Sequence, residues 1–162
     1  MCTSSIMRAL ILLLASVGSG GIQADTSISI SGTVMAAPSC VINGNELIFV
    51  DFGRNVVTTL VDGENYLREV NYTLECKNNT TNALKMQVQG NVTAFNGSAV
   101  QTTKSDLGVA LHINGQPMTI NRWYTFTYPN KPLLQAVPVK RPGSTLTVGG
   151  FNAGATLNVD YQ

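Results

Sequence analysis

The chain is poor in the residues that do chemistry: one histidine, one tryptophan and three cysteines in 162 residues, with only 12% of positions charged. Acid–base and nucleophilic catalysis need a base held beside a nucleophile or a metal, and the single imidazole leaves no pair to build on. That imidazole, His112, lies between Leu111 and Ile113 on the parity of Gly108 and Ala110, which turns it away from the apolar side of its segment and reads as solvent-facing or ladder-adjacent. Asp51, Asp62, Glu64, Glu69, Glu75 and Asp106 are scattered, with no EF-hand spacing and no glycine-rich phosphate loop. These absences argue against an enzyme, a metal site, a cofactor and a small-molecule substrate. Blocks of like charge are missing too, which removes the electrostatic footprint for nucleic acid or an anionic membrane. No ten-residue stretch after the leader repeats a helical 3.6 spacing.

What is present begins with an apolar run, Ala9 to Val17, behind Arg8 and followed by small residues that end Ile22-Gln23-Ala24. This reads as a secretory signal peptide over 1–24, cleaved after Ala24. The run is too short to span a bilayer as an ordinary transmembrane helix. Met7 would also serve as a start, and Cys2 precedes the run instead of closing it, so it is not placed for lipid attachment. Processing removes Arg8 from the 10 basic residues and leaves 9 against 9 acidic ones, a net charge of zero. In an exported chain Cys40 and Cys76 favour a disulfide over a metal pair. On the chain-entropy estimate such a loop contributes about 4 kcal/mol.

Period-two segments recur through the rest of the chain with Gly, Asn and Pro between them, which makes the class all-β. Val70, Tyr72, Leu74 and Cys76 share a face, as do Leu84, Met86 and Val88, and Leu107, Val109, Leu111 and Ile113. Asn43-Gly44 and Asn114-Gly115 are turn signals, the first leading into an expected strand over Leu47 to Phe52. Leu133 to Val139 follows Pro132, contains Pro138 and is expected at an edge or as an irregular strand, because proline cannot donate to a ladder. Short strands at this spacing, with a disulfide joining an early strand to a middle one, predict one immunoglobulin-like sandwich.

The two ends stand apart. Over the last fourteen residues Gly149, Phe151, Ala153, Ala155, Leu157, Val159 and Tyr161 fall on one parity and polar or small residues on the other, which predicts a core-facing strand with one neighbour missing. Before the first retained cysteine, 25–37 forms an arm in which Ile28, Ile30, Gly32 and Val34 alternate with Ser and Thr. Such an arm and such a strand can complete each other within one molecule or between molecules, the second being β-augmentation by strand donation.

Two further patterns invite a functional reading. Asn71, Asn78, Asn79, Asn91 and Asn96 each open an N-glycosylation triplet, but Asn and Thr are ordinary turn and exposed-strand residues in a chain rich in both. Trp123, Tyr124, Phe126 and Tyr128 would make an aromatic platform in a carbohydrate-binding adhesin or a secreted lectin-like β-sandwich module. Aromatics at period two in a sandwich more often belong to its core.

The leader, the Ile28/Ile30/Gly32/Val34 arm, Cys40 and Cys76, the Leu107-Gly108-Val109-Ala110-Leu111 segment and the ending from Gly149 through Tyr161-Gln162 together resemble a pilin subunit of chaperone–usher fimbriae, of the minor or adaptor kind found in type 1 and P pili. The order and spacing of these features carry the resemblance, above all a glycine fourteen residues from the end and a penultimate tyrosine. It implies an incomplete immunoglobulin-like sandwich lacking its last strand over 38–162, preceded by the donor-strand extension 25–37. It implies that Ile28, Ile30, Gly32 and Val34 fill the groove of a neighbouring subunit. The receiving residues would be Gly149, Phe151, Ala153, Ala155, Leu157, Val159 and Tyr161, with the Gln162 carboxylate as chaperone anchor. The implied partners are other pilin subunits, a periplasmic pilus chaperone and an outer-membrane usher, and the implied location is a surface fimbrium reached through the periplasm. The arm departs from the pattern in holding only three bulky apolar residues.

Overall fold

The computed structural model of the chain describes Ser29, 31–33 and 39–162, and divides into two compact units, Met1–Val34 and Met35–Gln162. The signal peptide with its cleavage site, and Ile28, Ile30 and Val34 of the arm, lie outside the described residues; Ser29, Ser31, Gly32 and Thr33 are exposed and belong to no strand.

In the second unit the alternating segments become strands. They are β1 (Ser39–Ile42), β2 (Arg68–Glu69), β3 (Leu74–Lys77), β4 (Ala83–Gly90), β5 (Val92–Thr93), β6 (Asn96–Gln101), β7 (Leu107–Ile113), β8 (Gln116–Pro117), β9 (Tyr124–Thr127), β10 (Leu134–Lys140) and β11 (Ala155–Tyr161). Two single-turn 3-10 segments, Asn43–Asn45 and Thr58–Leu60, complete the elements, and no α-helix occurs among the described residues. One sheet runs β2-β10-β7-β6-β5 with β8 beside β7, a second runs β11-β4-β9, and β1 pairs with β3. Every pairing is antiparallel.

The main core lies between the two larger sheets. Met86 and Val88 from β4 meet Val100 from β6, Ile113 from β7 and Leu134 from β10, with Tyr72, Met118 and Ile120 closing the cluster. Because β7 is interior to its sheet, its other face is covered as well. Ala99, Ala110, Val137 and Val139 pack there beneath Phe95. Gly108 shows how close this second layer is: a Cβ at that position would stand 2.7 Å from Thr93 Cγ2 and 3.0 Å from Ala99 Cβ. The period-two reading located the core face of β4 and β7, and the burial of Leu107–Ala110 on both parities follows from the two covered faces of β7.

Three expectations change. The Asn43-Gly44 turn forms, with φ of 48° and 60°, but Leu47 to Phe52 joins no ladder. Alternation supplies a strand's pattern, and a ladder also needs a neighbour, which this segment lacks among the described residues. Second, β10 is not simply an edge strand, since β2 flanks it on the side away from β7. The proline still has its expected room: β2 covers only Gln135 and Ala136, and Pro138 lies beyond that contact. Third, the terminal ladder begins at Ala155, not Gly149. Gly149 turns with φ of 107°, and Ala153 crosses to bridge Thr102, so the stretch before β11 belongs to a crossing between sheets. By contrast, Asn114-Gly115 is a two-residue hairpin loop, with φ of 51° and 77°, between Ile113 and Gln116, which face each other in register.

Candidate functional site

The site is an open groove left by the same incompleteness. Along one edge β11 pairs with β4, placing Leu157 opposite Val88, Val159 opposite Met86 and Tyr161 opposite Leu84. Along its other edge β11 pairs with no strand among the described residues. The unpaired Glu46–Phe52 stretch forms the facing wall, and between the two walls lies a cavity of about 1560 Å³. Its floor is made by core residues, Val88, Val100, Leu107, Val109, Leu134 and Ala136, which are buried, and by half-buried Leu111. Three apolar side chains that line it are left in water, Leu47 at 77%, Phe49 at 83% and Val148 at 86% exposure.

Large apolar side chains exposed beside an apolar floor and a free strand edge cost free energy in an isolated molecule, and together they mark a binding surface. Glu46, Asp51, Arg54 and Lys104 are its charged lining residues, and Lys104 Nζ donates to the Thr147 hydroxyl. The groups whose titration is displaced lie elsewhere. Burial pushes the Tyr72 hydroxyl, which donates to the Pro132 carbonyl at 2.7 Å, up to about 12. The backbone N–H groups of Asn65 and then Glu64 hold the Asp62 carboxylate below its usual range. What the groove offers is a row of backbone donors and acceptors beside an apolar trough, the two things an added β-strand uses.

Of the residues singled out in the terminal strand, Gly149, Phe151, Ala153, Ala155 and Leu157 line the groove. Val159, half-buried, packs against the main core, as Leu157 also does. Tyr161 Oη stands 3.5 Å from Cys40 Sγ, tying the end of β11 to β1, and Gln162 continues the ladder by donating its backbone N–H to the Ala83 carbonyl. Cys40 and Cys76 face each other across β1 and β3 and form the disulfide. Gly32 is the described member of the arm's alternating set, and a Cβ there would meet nothing within 4 Å. His112 is half-buried on β7, across from Gln135 and Pro117, and is not part of the groove.

The aromatic stripe divides by parity. Tyr124 and Phe126 pack against the main core, and Trp123, on the other parity, is 41% exposed with Lys85 Nζ 5.2 Å from its ring centre. Sequence reasoning missed the facing wall as a functional element. The signal was there in Leu47-Ile48-Phe49-Val50, apolar on both parities, which marks a segment meant to be covered on both sides.

An immunoglobulin-like sandwich whose terminal strand has one open edge beside an apolar groove is the pilin fold. The comparisons agree and carry the assignment further: residues 28–162 match the family described as Fimbrial protein, and the chain belongs to that family. It is 40% identical over 134 residues to the fimbrial-like protein YfcR of Escherichia coli strain K12, an alignment covering 80% of this chain and 76% of YfcR. In fold it matches the P pilus adaptor subunit PapF with a TM-score of 0.56 at 22% identity, over 76% of this chain and 95% of PapF. The P pilus rod subunit PapA matches with a TM-score of 0.59 at 18% identity, over 84% of this chain and all of PapA. The family is one of structural pilins, not of enzymes.

Proposed function

We propose that this fimbrial subunit is a minor or adaptor subunit that polymerises by donor-strand exchange: its groove receives the N-terminal extension of a neighbour, and its own arm, 25–37, fills the groove of the next. The observation that carries the reading is the groove itself, with an open β11 edge on one side, an unpaired apolar wall on the other, and Leu47, Phe49 and Val148 of its lining left in water. Covering such side chains is worth about 1.5 to 3 kcal/mol each, and a strand laid there also pairs the open row of backbone groups. In this scheme Ile28, Ile30, Gly32 and Val34 are the donor residues. Gly149, Phe151, Ala153, Ala155 and Leu157 form the receiving wall, and Val159, Tyr161 and Gln162 extend it toward the chaperone anchor.

A periplasmic chaperone would hold the groove during folding, and an outer-membrane usher would oversee the exchange for a better-fitting strand. The fibre then grows without nucleotide, because completing the fold supplies the driving force. Supporting this route are the apolar leader at 9–17, the Cys40–Cys76 disulfide, which belongs to an oxidising compartment, and membership of the fimbrial family.

The test is to fold the oxidised chain from Asp25 onward and titrate it with a peptide of sequence 25–37 or with the corresponding arm of a neighbouring subunit. A rise of at least 10 °C in Tm is expected with the better-fitting arm, with any head-to-tail oligomers of the lone chain shortening as the peptide caps their free groove. A lone chain that is a stable monomer, indifferent to every added strand, would overturn the donor-strand reading. Self-assembly into long homopolymers would leave strand exchange standing and overturn the minor or adaptor role.

A further inference from the structure

The two walls of the groove are bridged at one level along its length. Where the two walls turn, Phe52 from one and Phe151 from the other stack with ring centres 6.0 Å apart. The rings bridge the trough in the side-chain layer, so an inward-facing side chain of an inserted strand finds that place already filled.

Both walls also change direction there. Asp51 Oδ1 accepts the Gly53 backbone N–H at 2.8 Å, with Gly53 at φ of 83°, and Gly149 turns at φ of 107°. Phe151 is seated on the small cluster of Val61, Leu107 and Leu146, so it is anchored from below.

The wall carrying Phe151 is fastened to the opposite sheet just there. Thr103 donates its backbone N–H to the Asn152 carbonyl at 2.9 Å and accepts the Asn152 N–H on Oγ1 at 3.3 Å, next to the Thr102–Ala153 bridge. Lys104 Nζ donates to Thr147 Oγ1 and to the Val148 carbonyl, both at 3.0 Å. These bonds hold the crossing segment in place before any strand arrives.

We propose that Phe52 and Phe151 form an aromatic clasp that ends the track for an inserted strand and so sets its length and register, with Lys104 as a positioning residue that holds the Phe151 wall. The inference rests on the strand-insertion reading and adds a stop to it. Register matters because a slip of one residue turns every side chain of the inserted strand from the floor to solvent. A fixed stop selects the donor whose apolar residues fall over the floor when its end meets the clasp.

The experiment measures the dissociation rate of labelled 25–37 peptides from the oxidised chain, each lengthened one residue at a time at either end with alternating Ser and Ile. With the native groove, residence time should stop growing on extension at one end. In Phe52→Ala and Phe151→Ala the plateau should move outward by two residues or more, and a peptide with Ile at the new position should gain at least tenfold. Phe52→Leu keeps apolar packing without the stack and should give an intermediate shift, which covers the case in which the alanine variants do not fold. Lys104→Met should lose the sharp plateau while leaving binding of the shorter peptides within about twofold.

Residence time that keeps growing at both ends of the native groove overturns the clasp and leaves strand insertion intact. A plateau that is the same in the native chain and in folded Phe52 variants does so as well. Binding of neither these peptides nor the arm of a neighbouring subunit at any length overturns both.

Discussion

β4 and β11 lie side by side in one sheet and turn the same kind of residue toward the core, yet they are buried differently. Leu84, Met86 and Val88 of β4 are at or below 5% exposure, and Tyr161, Val159 and Leu157, opposite them in register, are only half-buried. Composition does not explain the gap, because both faces carry apolar side chains at period two. The difference is one neighbour: β4 is flanked by β11 and β9, and β11 by β4 alone among the described residues. Burial in a sheet is therefore set by the next strand over as much as by the residue, and β11 has the sequence of an interior strand in the position of an edge strand.

Paired truncations break this comparison most directly. Met86→Ala removes a fully buried side chain and should cost about 3 kcal/mol, with or without a donor strand. Val159→Ala should cost about 1 kcal/mol in the lone chain and clearly more once a strand is bound. Chemical denaturation with and without donor peptide checks both, and equal costs in the lone chain would mean that β11 is already covered.

The facing wall sharpens the same contrast. Phe49 is 83% exposed, so Phe49→Ala should change the stability of the lone chain by no more than about 0.5 kcal/mol. Its effect should appear in binding, as at least tenfold weaker uptake of a donor peptide measured by calorimetry.

The smallest effect belongs to the closed region and gives a control. The Tyr72 hydroxyl titrates near 12 in the fold against an ordinary value of 10.0, so the fold favours the protonated form. Its contribution is complete below pH 10 and is lost as pH rises through 12. A scan of Tm from pH 8 to 12 should show this loss, and Tyr72→Phe, which removes the bond to the Pro132 carbonyl, should remove this part of the pH dependence. Donor-strand binding should not alter it, because Tyr72 does not line the groove.

Much of the fold was legible because burial on one face leaves a period of two. The core positions of β4 and β7, the Cys40–Cys76 pair and the Asn114-Gly115 hairpin could all be read from residue order. The start of the terminal ladder could not, since alternation continues unbroken from Gly149 while pairing begins only at Ala155. Which strand lies beside which is a long-range property that period-two patterns do not record. The Glu46–Phe52 wall shows the reverse case, a strand-like sequence with no strand beside it. The Phe52–Phe151 stack and the Lys104 bonds were out of reach for another reason: they join residues 99 and roughly 44 positions apart, and nothing local announces them.

The most direct test of the account is amide hydrogen exchange on the oxidised chain, with and without a donor peptide, read residue by residue. The account predicts that protection gained on binding concentrates in 155–161 and 46–52, the two walls of the groove, while β7 and β10 change little. Protection gained on the outer edge of β9, or gained evenly over the molecule, would contradict it.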